Sequence, residues 1–548
     1  MLTRRAFHSG LLSTVAALSA PRAVWAAAAG VPIGRLYVNR LTFGATSESL
    51  NDIAALGPVA WLDQQLSLPA TDPTLDQRLQ DARLRITYEA ESDQSGNTWP
   101  AADELRPLSS LLADPADLTR LINWDIGMSY LERARPASEV LAASLIRAVH
   151  APAQLREVMT QFWHDHFNVN SQKNEFCAAF FPSHDAVLRE NALGNFRVLL
   201  GQIARSPSML YYLNNDESRA SPANENYARE LLELHTMGAA AYVNDRFASW
   251  HEVPGADRGL SQAYIDQDVY EVARAFTGWS VGDGRYLSEG VFAPKTGRFA
   301  YVEAWHDPYQ KRILGVEFPP NRAAMADGEQ VLDILAAHPA TARFICEKIA
   351  RRLLADDPDP ALVADLAAVF LAKSAAPDQL AQVVRALVLH PNFAATPPSK
   401  LRRPFEVLVA LYRATGAQVT ATENNFQWPL SRAGWHQHEY GPPTGHPDVM
   451  DQWTGASALN RVIDLCLTAH EPWFGCVSAD LGQRQKGETL AALAGRWAAL
   501  LGHDGAGLAA AMGIDAAALA SDVTDEDHWG VAAGAIALAA ITPAFLLR

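Results

Sequence analysis

The sequence predicts a mainly α protein: a large multi-helix globular body in two helical lobes, with long irregular loops and one short hairpin. Three observations predict it. Apolar residues recur at three- and four-residue spacing over most of the chain. The two-residue alternation of half-buried strands is scarce. And 548 residues exceed what one core usually holds, so lobes of about 29–320 and 321–548 are expected.

The first element is a leader. Thr3-Arg4-Arg5-Ala6-Phe7 precedes an uncharged, small and apolar run from Gly10 to Ala20, followed by small residues at Ala26 to Ala28 where a signal peptidase could cut. Pro21 and Arg22 interrupt the run, which falls short of the roughly 20 residues that span a bilayer. Paired arginines before a weakly hydrophobic segment mark the twin-arginine (Tat) route. Residues 1–28 are therefore expected to be a Tat signal peptide, with the Tat translocase as export partner and 29–548 working in the periplasm or outside the cell. Tat carries folded chains, which suits a cofactor loaded in the cytoplasm.

Helical spacing then covers Leu50 to Leu66, Ala137 to His150, Val331 to Leu354, Pro360 to Leu371, Gln379 to Leu389, Pro404 to Thr415 and Leu490 to Leu501. Loops are expected at Glu89 to Glu104, Asp245 to Ser261, Gly282 to Gly315 and Asn424 to Trp453, with a hairpin near Arg285 to Tyr301. The apolar run Trp529 to Arg548 is alanine-rich, contains Gly530, Gly534 and Pro543, and follows the capping stretch Asp522 to Glu526. It reads as a buried helix, not a stable membrane insertion.

The formal charge of -16 becomes about -19 when Arg4, Arg5 and Arg22 leave with the leader, and the acids are spread out. Nucleic acid is not an expected partner. Cys177, Cys346, Cys466 and Cys476 show no CxxC spacing, against zinc fingers, iron–sulfur clusters or a disulfide framework. Cys466 with Cys476 is the nearest candidate bridge; buried free thiols are the other reading.

Four clusters could carry chemistry. In Phe162-Trp163-His164-Asp165-His166-Phe167-Asn168, two histidines separated by one residue cannot share a helix face, yet at a helix end both could reach one ion. Buried, inert histidines among aromatics are the alternative. In Ser221 to His235, Ser221 reads as a helix cap and Pro222 as the first helical residue. Asn226, Glu230 and Glu233 then share one side, with Glu225 and Arg229 a neighbouring spaced pair and Arg229 four residues before Glu233, where it could offset its charge. That pattern fits a solvated face, an arginine-neutralised network, or ligands for a hard cation. Trp305-His306-Asp307-Pro308-Tyr309-Gln310-Lys311 offers a ligand or proton shuttle and a group for an anion, or simply a turn. Last, His436, His438, Glu439, His446 and Asp448 lie within a Pro- and Gly-rich loop that could bind a second metal.

These stretches, together with Gly34 to Leu66, Asp268 to Trp279, His306 to Gly315, Lys400-Leu401-Arg402-Arg403-Pro404 and the closing Thr542-Pro543-Ala544-Phe545, resemble the bacterial family called domain of unknown function 1800 over nearly all of the chain after the leader. The resemblance implies a predominantly helical, commonly exported protein. Its His-Asn-His element falls on His164, Asp165 and His166, with aspartate in the middle here, and its Asn-Glu-Asn and Arg-Glu-Leu-Leu-Glu-Leu elements on Asn224 to Leu234. Such proteins are often encoded beside domain of unknown function 1501, which resembles the alkaline phosphatase and sulfatase superfamily; an exported protein of that family is the implied partner. Many members carry phenylalanine at the position of His235, which is therefore not expected to be an essential ligand.

The preferred expectation is a metal-dependent enzyme, hydrolytic rather than oxidative, acting on an envelope or extracellular substrate. His164, His166, Glu230 and His306 would hold a divalent zinc, manganese or iron ion. Glu230, Glu233, Asp307 and Lys311 would be catalytic; Asn226, Arg229, Trp279 and Trp435 would bind substrate. One alternative is a metal-free glycosidase using Glu230 and Glu233, or either with Asp307. The other is a non-catalytic helical scaffold for an exported partner.

Overall fold

The computed structural model describes residues 31–93, 95–468, 488–502, 520–522 and 539–548. The leader, Cys476 and the first half of the run from Trp529, residues 529–538, lie outside the described residues. Those residues are mainly helical, with strands only as two-stranded antiparallel pairs. Buried apolar side chains form one cluster from Tyr37 to Leu547, crossing the position where two lobes are expected to divide. Among the described residues no helix is long and apolar enough to cross a membrane.

The periodic segments fold as helices, and glycine and proline decide where they break. The Leu50 to Leu66 stretch becomes two helices, Ser47–Leu56 and Pro58–Ser67, parted by Gly57 at φ 80. Val331 to Leu354 likewise divides into Ala326–Ala336 and Pro339–Leu353, because Pro339 has no N–H to continue the first helix and is suited to opening the second. Cys177, Cys346 and Cys466 are buried free thiols.

Two helices form the centre. Pro404–Thr415 is apolar nearly all round and buried along its whole length. Its one internal cation, Arg413, is satisfied by the Gly44 and Val149 carbonyls at 3.0 and 2.7 Å. Arg135–His150 packs against it and is almost as deeply buried. Together they fix the frame on which the Gln154–His166 helix ends.

The expected hairpin is present: Trp279–Asp283 pairs with Lys295–Tyr301, and Tyr286–Ser288 with Val291–Phe292 inside it. A second one departs from expectation. Arg83–Tyr88 pairs with Ala102–Pro107, and Glu91–Ser92 with Thr98–Trp99, where the polar composition predicts a loop. The 221–235 segment also starts later than a Ser221 cap would place it. Ser221–Pro222 is a cis peptide bond, and the cap is Asn224, whose side chain accepts from the Asn226 and Tyr227 amides. The helix Glu225–Glu230 then widens into a π-helical stretch, Leu231–Thr236.

Candidate functional site

The last turn of the Gln154–His166 helix sends three neighbouring side chains in three directions. Successive helical residues are rotated by about 100°, so they cannot converge. His164 points inward: its Nε2 is 3.0 Å from Asp185 Oδ1, and its ring lies 4.1 Å from that of His438. Asp165 accepts from Arg403 Nη1 at 2.9 Å and pairs with His446 Nδ1 at 3.0 Å. His166 places Nε2 3.1 Å from the His235 carbonyl and Nδ1 2.9 Å from Lys348 Nζ. With the proton on Nε2 donated to that carbonyl, Nδ1 is left to accept from the lysine.

Asp165 and His166 thereby face a pocket of about 310 Å³, whose other wall comes from three segments. The Pro339–Leu353 helix contributes Lys348, Arg351 and Arg352, three and four residues apart and so on one face. The start of the central helix contributes Arg403, its N-cap residue. Glu406, three residues on, accepts from the Arg403 amide at 3.1 Å and forms ion pairs with Arg352 and Arg403. The Pro- and Gly-rich loop supplies His446 and Asp448. Gly445, at φ 70, is required there: a Cβ would collide with the Asp165 carbonyl. Trp435 supports this wall from behind, stacked on His446 with centroids 3.8 Å apart and under the Arg403 guanidinium.

The pocket sets unusual protonation states. Burial lowers the Lys348 ammonium to about 8 despite the attraction of Asp165 and Asp448. Burial also pushes His166 well below its ordinary value, helped by the Lys348 charge, so its imidazole is neutral. For Asp165, burial acts in the opposite sense, but Arg403 and His446 prevail and hold it well below the usual carboxylate range.

The other expected residues are placed elsewhere. His306 Nδ1 lies 3.1 Å from the Thr277 carbonyl and its Nε2 3.4 Å from Asp327. Asp307 receives two bonds from Arg274, at 2.7 and 3.0 Å, and Lys311 Nζ donates to the Asp307 and Tyr309 carbonyls and to Asp327. That fully paired, buried knot is structural in character. Glu230 and Glu233 are half-buried; burial first, then Glu233, raises the Glu230 carboxyl, and Arg229 opposes them. Asn226 is exposed, and Arg229 pairs with Asp266 at 3.2 Å. Trp279 is fully buried against Phe276, Phe299 and Arg205, away from this pocket; Trp435 is equally buried and meets the pocket lining at His446 and Arg403.

His164, His166, Glu230 and His306 are therefore not assembled into one ligand set. Among the described residues no group of three or more His, Cys, Asp or Glu side chains is arranged to hold a metal ion. His164 and His166 diverge, and each is committed to another partner. Conversely, Lys348, Arg351 and Arg352 carry no motif in the sequence, where they merge into the polar side of an amphipathic helix. Three cations at positions i, i+3 and i+4 of that helix are the signal that could have found them.

A mainly helical body with a charged pocket at a helix end is the class these features define. The family model described as "Protein of unknown function (DUF1800)" matches residues 36–547, and the chain belongs to that family. No curated protein and no solved structure matches.

Proposed function

We propose that this protein is an exported enzyme whose proton-transfer group is the Lys348 amine, working in the pocket beside His166 and Asp165, and that it hydrolyses an envelope or extracellular substrate. The observation that carries the reading is the Lys348–His166 contact of 2.9 Å at a lysine whose ammonium is lowered to about 8. A general base works best with a pKa near the working pH, and burial is how a lysine reaches that range. The neutral amine takes a proton from water as the oxygen attacks the substrate. The ammonium so formed returns the proton to the leaving group. His166 accepts one lysine N–H and so orients the amine's lone pair.

Export rests on the Arg4-Arg5 leader. This proton-transfer chemistry takes no step through zinc, manganese or iron, because among the described residues the expected ligands are not gathered. It is tested by screening wild type against esters, phosphate and sulfate esters, glycosides and peptides at pH about 6 to 10, beside Lys348→Met. An activity that rises through pH about 8 and falls at least about 100-fold in the variant supports it. Activity untouched by Lys348→Met, or lost instead in Glu230→Gln, contradicts it; the second result favours the carboxylate-pair reading. No activity on any substrate in the panel leaves the scaffold reading, with a protein of the unknown-function-1501 family as the proposed partner.

A further inference from the structure

The pocket's buried donors outnumber their acceptors. Its lining holds four cationic side chains, Lys348, Arg351, Arg352 and Arg403, against two carboxylates, Asp165 and Asp448. Glu406 stands behind as a third. Arg352 and Arg403 are 1% and 2% exposed. Arg352 pairs Nη1 with Glu406, while its Nε and Nη2 have no hydrogen-bond partner among the described residues. Arg403 commits Nη1 to Asp165 and Nε to Glu406, and its Nη2 likewise has none. Asp448 partly answers this charge, 3.8 Å from Arg352 and 3.9 Å from Arg403, but lies closer to Lys400 at 3.0 Å. Buried guanidinium N–H groups without acceptors are costly, and two planar forks side by side match an anion that offers several oxygens.

We propose that Arg352 and Arg403 seat an oxyanion group of the substrate, a phosphate, sulfate or carboxylate, on the floor of the pocket beside Lys348. The inference rests on the reading that this pocket is the active site, and it names what that site recognises. The seat does not depend on Arg351, which is partly exposed, closes the rim and pairs outward with Glu347.

The test uses the whole protein with inorganic phosphate, sulfate and acetate as probes, each against chloride at constant ionic strength. Acylation of lysines by an activated propionyl ester is followed residue by residue by mass spectrometry. The expected result is that phosphate or sulfate slows modification of Lys348 about tenfold while exposed Lys295 is unaffected. Protection by acetate alone assigns the seat to a carboxylate; protection by the tetrahedral anions assigns it to a phosphate or sulfate. Arg403→Lys, which keeps the charge and loses the fork, weakens the protection about tenfold. Because that variant could fail to fold, the wild-type protection stands as the deciding measurement. No protection by any of the three anions overturns the proposal, as does binding that leaves Lys348 unprotected. The two readings fail separately: protection without any Lys348-dependent activity keeps the seat and removes the proposed chemistry, and Lys348-dependent activity without protection does the reverse.

Discussion

Lys348 Nζ lies 2.9 Å from His166 Nδ1, joining the Pro339–Leu353 helix to the end of the Gln154–His166 helix across 182 residues of chain. His166 is buried and Lys348 half-buried among charges, and both are driven toward their neutral forms. A contact of this kind has consequences for stability as well as for chemistry.

Wild-type stability relative to Lys348→Met should rise with pH. The folded lysine releases its proton near pH 8, whereas an unfolded lysine does so near its ordinary value of 10.5. Between those values the unfolded chain binds more protons, so raising the pH favours the folded state; below about 8 the penalty of the buried charge is fully present. Urea denaturation of both proteins at pH about 7 and about 10 samples most of this window, and a difference that does not change with pH contradicts it.

Asp165→Asn should cost about 3 kcal/mol at neutral pH, because Arg403 and His446 lose a buried carboxylate. The folded pKa of Asp165 is depressed, so its contribution is present above the unfolded value and is lost as the pH falls below about 4. Denaturation curves that coincide at neutral pH would contradict the pairing described.

Lys311→Ala should destabilise by about 3 to 5 kcal/mol, since it leaves the buried Asp327, the buried Asp307 carbonyl and the part-buried Tyr309 carbonyl short of a donor. The anion protection of Lys348 should remain in whatever fraction stays folded. Loss of that protection in folded protein would place the His306–Lys311 knot in the site after all.

Replacing Arg4 and Arg5 together by lysine should hold the precursor in the cytoplasm, and N-terminal sequencing of the exported wild type should find a start near Ala26 to Ala28. Export of the doubly substituted chain would contradict the Tat reading.

The helices were legible because their apolar spacing is long and regular; Gln379–Leu389 and Pro404–Thr415 fall on the residues expected. The Arg83–Tyr88 strand was not, since only Leu84 and Ile86 alternate inward there, too short a pattern to separate from a loop. At the candidate site, the His164 to His166 segment stands out in the sequence by its composition. Its geometry was not legible there, because one helical turn sends the two histidines to partners at positions 185 and 348 that no local spacing connects. Arg403 was visible only as part of a motif. Its meaning depends on Glu406 and Asp165, and the second of these is 238 residues away.

The most direct test is the pH dependence of Lys348 reactivity in the wild-type protein, read by competitive acylation and mass spectrometry. A midpoint near 8 is expected, well below the ordinary lysine value. A midpoint near the ordinary value of 10.5 would contradict it, because a fully protonated ammonium at neutral pH could not serve as the base.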